Sequence, residues 1–457
     1  MKPDKRNAST DPVSDLLAFL DASPTAFHAA AGLAARLRAA DFAELAEGER
    51  WRLRPGTRAF VRRHDGALMA FRLGRVPLGE AGFRVAAAHL DSPGLRLKLD
   101  SERRESGACR IGVEVYGSPI IHTWLDRELS VAGRVVVTEG KGAAVVRLVD
   151  LRRPVAIIPN LAIHLNRDVN KGFEFNTQNH LSAILAAGSC GVRNSEGAVA
   201  GGGVVRGWLA EALGVAAEDI RSAELLLYDP QPACRLGPDG DMIVSGRLDN
   251  LAMSHAVCLA LTGGASGAPE RPRPRAPAPA GTAVALFYDH EEVGSRSERG
   301  AESSLAETVL ERLVLATGGT REDLHRALAK TLLVSADMAH GVHPNFADKH
   351  DPAYAPRLNG GPVIKSHAAL RYATGAEGEA WFEACCRAAG VPCQRFIMRS
   401  DLACGTTIGP TTASLLGVRA VDVGNPMWAM HSSRETAGAA DHAMMAKALA
   451  AAFVQDL

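Results

Sequence analysis

The sequence predicts an α/β layered fold interrupted by a strand-rich unit. Three observations lead there. From about residue 240 onward, short apolar runs alternate with helix-patterned segments, the signature of a layered α/β domain. After about residue 98 the texture changes to short β-prone runs separated by Gly and charges. The chain has 457 residues, which favours two domains over one. Taken in order, residues 13–20 are apolar at helical spacing behind Pro12, which suits a first-turn position. Ser23-Pro24-Thr25 breaks that pattern, and 27–40 reads as a second helix. Residues 58–72 read as a hairpin around His64-Asp65-Gly66, and 83–90 as a buried strand. The strand-rich interval contains 109–115, 120–124, 133–137 and 144–148. Residues 179–187 read as a helix. Beyond it, 251–261, 304–316, 321–329 and 377–389 read as helices, and 284–288, 332–335 and 418–423 as buried strands. Two stretches, 188–203 and 264–281, are low in complexity and unsuited to a core.

Composition removes several function classes. Lys plus Arg is 51 and Asp plus Glu is 51, so bulk charge recruits neither nucleic acid nor an anionic membrane. None of the eight cysteines forms a Cys-x-x-Cys pair, which argues against zinc ribbons and thioredoxin-like motifs and for free thiols in a reducing compartment. The first residues are charged and polar without an apolar secretion core, and no apolar run of about 20 residues spans a membrane. A cytoplasmic protein is expected. Dinucleotide, phosphate-loop and nucleophile-elbow fingerprints are missing, and the stretch at His290 lacks the second His of a zinc helix because position 294 is Gly.

Five segments place His or carboxylates beside predicted strand ends, where α/β sheets usually build their sites. They contain His89 and Asp91; Asp249; Glu291 and Glu292; Asp337, His340 and His343; and His431. Two His and three carboxylates suit a pair of zinc-like ions, since one carboxylate can bridge two metals. Two metals about 3.5–4 Å apart can hold both oxygens of a hydrolysis. A second Glu beside a liganding Glu supplies the base that such a site needs. Each residue also has a plainer reading: Asp91 as a turn former, Asp249 as a helix cap, Glu291 and Glu292 as a solvated first turn.

These residues sit in stretches that resemble the aspartyl aminopeptidase family of co-catalytic dinuclear zinc metallopeptidases. The matching stretches are SPTAFHAA, AAHLDSPGLRLK, LAIHLNR, RLDNL, YDHEEVGSRSERGA, SADMAHGVHPNF, GGPVIKSHAALRYAT, CGTTIGP and AMHSSRE, in the family's order and over nearly the whole chain. The resemblance implies a three-layer α/β/α metallopeptidase domain, formed by 1–98 and 238–457, with an inserted β-rich dimerisation domain at 99–237. It implies two divalent metal ions per subunit, zinc by expectation. His89 and Asp337 would bind one, Glu292 and His431 the other, and Asp249 would bridge them. Glu291 would be the general base, and Asp91 would orient His89.

The implied activity is hydrolysis of the N-terminal residue of short peptides, with a preference for Asp or Glu. The alternative is a neutral or broad N-terminal preference. Lys365 is the expected partner of an acidic side chain, with His340 near the substrate. The family assembles as a dodecamer, in which His164 would complete a neighbour's active site. A homo-oligomer is therefore expected. A deacylase, a carboxypeptidase or a non-catalytic metal-binding shell are the rival readings, and the presence of Glu291 argues against the shell.

Overall fold

The computed structural model describes residues 11–140, 142–188, 203–266 and 280–456. Most of the two low-complexity stretches, namely 189–202 and 267–279, lies outside the described residues. The chain divides into two compact units. One comprises Met1–Asp91, Ala233–Met430 and Glu435–Leu457; the other comprises Ser92–Pro232 and His431–Arg434.

The first unit is built on a nine-stranded sheet. Its strands run in the order Ala43–Glu44, Arg58–Arg63, Ala67–Arg72, Thr282–Tyr288, Phe83–His89, Leu332–Ala336, Arg419–Gly424, Val363–Ser366 and Gln394–Ile397. The strands Thr282–Tyr288, Phe83–His89, Leu332–Ala336 and Arg419–Gly424 are mutually parallel and buried on both faces. That burial explains why they read as continuous apolar runs rather than alternating ones. Alternate residues nevertheless serve different layers. Ala86, Ala88, Phe287 and Val334 pack with helices Pro12–Asp21, Ala26–Ala39, Leu248–Thr262, Ala376–Ala388 and Ala439–Ala452. Val85, Ala87, Leu286 and Leu333 pack with helices Leu305–Ala316, Arg321–Ala329 and Ile408–Leu416 on the other side. The result is a three-layer α/β/α arrangement. Local signals fix the helix starts. Asp11 accepts hydrogen bonds from Val13 N and Ser14 N ahead of Pro12, and Thr320 forms a capping box with Asp323. A second sheet of five short strands includes Met242–Ser245 and Glu435–Gly438.

The second unit is strand-rich. An antiparallel sheet runs in the order Ala143–Asp150, Ser130–Glu139, Ile220–Tyr228, Gly94–Leu97 and Val113–Tyr116, and a three-stranded sheet joins Ala183–Ala187, Ala108–Ile111 and Arg103–Glu105. Val131, Val135 and Val137 point to one core with Leu225 and Leu227, the period-two pattern of a half-buried sheet. Gly133 allows Ser130–Glu139 and Ile220–Tyr228 to meet, since a Cβ there would lie 2.0 Å from Glu224 O.

Three expectations are corrected. Residues 120–124 form a 3₁₀ turn at Ile121–Trp124 rather than a strand, because Thr123 N and Thr123 Oγ1 both donate to Ile120 O. Residues 179–187 divide into a short helix, Thr177–His180, and the strand Ala183–Ala187. The apolar run AILAA finds a partner strand in Ala108–Ile111, and pairing overrides its helical propensity. Of the cysteines, Cys258, Cys385, Cys386 and Cys404 are buried free thiols, but Cys234 is exposed and Cys109 is disulfide-bonded. Among the described residues no helix is long and apolar enough to cross a membrane.

Candidate active site

Three neighbouring parallel strands deliver their chemistry at the same sheet edge. His89 closes Phe83–His89 and is in register with Tyr288. Asp289 through Glu292 follow Tyr288 directly, and Asp337 follows Leu332–Ala336. Asp249 arrives from the start of Leu248–Thr262, where Asp249 and Asn250 depart from helical backbone and are joined by a cis peptide bond. Three bonds hold this corner. Asn250 Nδ2 donates to Ala336 O at 2.9 Å, Ser254 Oγ to His89 O at 2.8 Å, and Asp249 N to Glu435 Oε2 at 3.1 Å.

His89 is buried at the centre. Its Nδ1 lies 3.1 Å from the backbone oxygen of Asp91 and 3.3 Å from Asp91 Oδ1. Both are acceptors, so Nδ1 carries a proton, and Nε2 faces the opposite way. There it meets Asp337 Oδ1 at 3.5 Å, Asp249 Oδ1 at 3.6 Å and Glu291 Oε2 at 4.0 Å. Asp91 has a further task that its sequence position did not reveal. Its carboxylate accepts from Glu291 N and Glu292 N, each at 3.1 Å, so one side chain holds both the imidazole and the loop of the two glutamates.

The electrostatics of this cluster call for a cation. Burial pushes the Glu291 carboxyl up to about 8; His89 opposes the rise, while Asp337, Asp91 and Asp249 add to it. Glu292 is raised well above the carboxylate range by burial and then by Asp249. Burial works to lower His89, but hydrogen bonding to Asp249, Asp337 and Asp91 outweighs it and raises the imidazole. Crowded buried carboxylates are costly unless a positive charge joins them. His89, Asp249 and Glu292 each offer a ligand atom within 4.8 Å of the others. Two ligands on one tetrahedral zinc stand roughly 3.3–3.5 Å apart. The spacings of 3.5 and 3.6 Å from His89 Nε2 to Asp337 and Asp249 lie at and just beyond the long end of that range. The donor set, imidazole and carboxylate oxygens, is one that zinc takes.

The other expected residues are placed differently. Lys365 is 2% exposed, and its amine donates to the backbone oxygens of Asp337 and Met338, both at 3.0 Å. The same amine lies 3.9 Å from Asp337 Oδ2 and 5.1 Å from the ring centre of Tyr372. His340 is half-buried, its ring edge-on to Phe396 at 5.6 Å. His431 belongs to the second unit, where its Nδ1 lies 3.0 Å from Ser118 O. His164 is exposed in that unit, flanked by the exposed Ile163 and Leu165.

Three contributors escaped the sequence reading. Glu435 closes the AMHSSRE stretch and holds Asp249 N; the motif displayed it, but nothing in its spacing linked it to Asp249. Tyr372 packs beside Lys365 in the GGPVIKSHAALRYAT stretch. Asp422, fully buried, is the cross-strand partner of Lys365 and accepts from Thr407 Oγ1 at 2.6 Å and Ala373 N at 2.5 Å. Burial raises its carboxyl, and the nearby Lys365 charge opposes that rise. Only strand register brings Asp422 beneath Lys365, and a lone Asp in an apolar run does not announce register.

Comparison with known proteins agrees with this chemistry. Residues 19–453 match the family described as aminopeptidase I zinc metalloprotease (M18). A probable M18 family aminopeptidase 2 of Stutzerimonas stutzeri is 45% identical over 440 residues, covering 95% of this chain and 96% of the relative. The solved structure of an Ape4 and Nbr1 complex superposes with a TM-score of 0.91 at 35% identity, over 99% of this chain and 87% of that one. The S. cerevisiae mApe1 dodecamer structure gives a TM-score of 0.82 at 26% identity, over 96% of each chain.

Proposed function

This chain belongs to the aminopeptidase I zinc metalloprotease family (M18), and from that premise we propose that it removes the N-terminal residue of short peptides with a preference for Asp or Glu. It is a zinc-dependent aminopeptidase, a hydrolase. The observation that carries the mechanism is His89, buried with its Nε2 turned to Asp337, Asp249 and Glu291. His89, Asp249, Glu292 and Asp337 would hold two zinc ions, with His431 as the remaining ligand by resemblance. Bound there, zinc supplies Lewis acidity toward the scissile carbonyl and makes water easier to deprotonate. Glu291 takes the proton from the attacking water and delivers it to the leaving amine. Asp91 keeps Glu291 in place through the Glu291 and Glu292 amides and keeps the His89 proton on Nδ1.

The acidic preference rests on Lys365. Two of its protons are engaged by Asp337 O and Met338 O, and a substrate carboxylate would compete for the third with Asp337 Oδ2, 3.9 Å away. The same bonds, together with its burial, favour a second reading in which Lys365 braces the Asp337 segment and the N-terminal preference is neutral or broad. Release of chromophore from α-aspartyl and leucyl amides by zinc-replete protein separates the two. Faster aspartyl cleavage is expected. Faster leucyl cleavage keeps the mechanism and overturns the acidic preference, and cleavage of neither overturns the aminopeptidase assignment.

The inserted segment 99–237 is read as the dimerisation domain, and the protein as a homo-oligomer. Exposed Leu161, Ile163, Leu165 and Phe173 in one stretch support this, because such apolar side chains are normally covered. The similar mApe1 is described as a dodecamer, and the same assembly is proposed here. His164, set among these residues, would then act on a neighbouring copy's substrate.

A further inference from the structure

The turn between Tyr288 and Ala301 carries both Glu291 and Glu292, yet much of its side-chain bonding involves neither. Asp289 and Arg299 stand at its two ends and are each 3% exposed at the side chain. Arg299 Nε lies 3.0 Å from Asp289 Oδ2, and Asp289 N donates to Arg299 O at 3.1 Å, so the ends are tied by backbone and by charge. Between them His290 has φ of 62°, a left-handed conformation that strains a residue with a Cβ. Three contacts sustain it. Asp289 Oδ1 accepts from His290 N at 2.9 Å, Arg299 Nη2 donates to His290 Nε2 at 3.2 Å, and His290 Nδ1 lies 2.7 Å from Ser297 Oγ. A guanidinium can only donate, so Nε2 accepts and Nδ1 carries the proton. Both ring nitrogens of His290 are committed within the turn, which keeps this histidine from acting as a ligand or base beside Glu291. The guanidinium also lies 5.4 Å from the ring centre of Phe27, in the SPTAFHAA stretch. Gly66 closes the cage from the hairpin, since a Cβ there would stand 2.6 Å from Asp289 Oδ2.

We infer that Asp289, Arg299 and His290 form a buried clamp, backed by Phe27, that aims Glu291 at the reacting water and Glu292 at the metal. They are positioning residues; none touches substrate. The inference rests on the proposed role of Glu291. The strained His290 immediately precedes Glu291, so any relaxation of its φ swings the glutamate, and small misplacement of a catalytic group costs rate steeply.

The test uses full-length, zinc-loaded protein carrying Asp289→Asn, Arg299→Met, both together, or Arg299→Lys. Asp289→Asn and Arg299→Met are each expected to lower kcat at least tenfold while KM stays within threefold. The double variant should lose no more than the worse single, because the pair acts as a unit. Arg299→Lys should recover part of the loss. After cobalt replacement, the visible absorption bands should shift in the singles, reporting a moved Glu292. A kcat within twofold of the parent, or losses that multiply in the double with unshifted bands, overturns the clamp. If the singles do not fold, Phe27→Leu leaves the ion pair intact; it should lower kcat severalfold and shift the bands, and an unchanged kcat and spectrum overturns the inference. Turnover retained in zinc-loaded Glu291→Gln removes the base assignment itself. Turnover lost there but kept in Arg299→Met removes the clamp alone.

Discussion

Glu291 Oε2 lies 4.0 Å from His89 Nε2 and the Lys365 amine 3.9 Å from Asp337 Oδ2, both beside the proposed metal site, and single substitutions separate their roles. Glu291→Gln preserves size and hydrogen-bonding reach but removes the proton acceptor. Zinc stoichiometry should hold while kcat falls by roughly 10²–10⁴, the usual contribution of a general base. Near-parental turnover at full zinc content would exclude the assignment. Lys365→Met removes a charge from between Asp337 and its cross-strand partner Asp422. The expected result is a larger loss of kcat/KM on aspartyl than on leucyl amide. An equal loss on both, accompanied by lower zinc content, would show that the amine serves the Asp337 backbone alone. At this scale the sequence was a good guide to residue type and a poor guide to partners. His89, Asp91, Asp249, Glu291, Glu292 and Asp337 were all conspicuous because each follows an apolar run or opens a turn, and the fold brings them together. The double duty of Asp91 was not legible, because it depends on two amides 200 residues away.

Four helices meet at a polar knot inside an otherwise apolar layer. His255 of Leu248–Thr262 faces Asp15 of Pro12–Asp21 through Nε2 at 3.0 Å, and His442 of Ala439–Ala452 through Nδ1 at 2.9 Å. Arg36 of Ala26–Ala39 completes the chain, its two terminal nitrogens each 2.8 Å from an Asp15 oxygen. Asp15 is held well below the carboxylate range, first by His255 and then by Arg36, against the effect of burial. Both imidazoles are lowered: burial dominates for each, Asp15 partly opposes it at His255, and His255 adds to it at His442. The other titratable groups near the knot are Asp11 and the buried Cys258. A histidine with a lowered folded pKa is neutral when folded and protonated when unfolded below about pH 6.5. Its stabilisation is therefore complete above that pH and lost as pH falls toward the folded value. Each such histidine contributes a slope approaching ~1.4 kcal/mol per pH unit. His442→Gln keeps an amide donor for His255 Nδ1 and removes one titration. Urea midpoints at pH 7, 6 and 5 should fall less steeply in that variant than in the parent, and parallel slopes would refute the coupling. Helix Leu248–Thr262 was readable from its apolar run, and Pro12–Asp21 from Pro12 and its spacing. Ala439–Ala452 was not, because it is Ala-rich on nearly every side and offers little contrast between faces.

At the scale of the whole chain, the change of texture near residue 98 was legible because strand-rich and helix-rich segments differ in residue type over tens of positions. Strand order was not: Thr282–Tyr288 pairs with Phe83–His89 across nearly 200 residues, a topology that local patterning cannot encode. Assembly is also hidden in composition, since exposed apolar residues become informative only once exposure is known. Leu165, 74% exposed, stands beside His164 with Leu161 and Ile163 also exposed. If this stretch seats a second copy, charge placed there must disrupt the contact, because a glutamate buried without a partner costs several kcal/mol. Ile163→Glu with Leu165→Glu is expected to shift the sedimenting species from the assembly to smaller forms. The first unit should still bind zinc, because His89, Asp249, Glu292 and Asp337 all belong to it. Turnover per subunit should fall with the assembly, and His164→Ala should reproduce that fall while leaving the oligomer intact. Dissociated subunits that keep full turnover would show that each protomer carries a complete site, and an assembly unaffected by two buried charges would place the contact elsewhere.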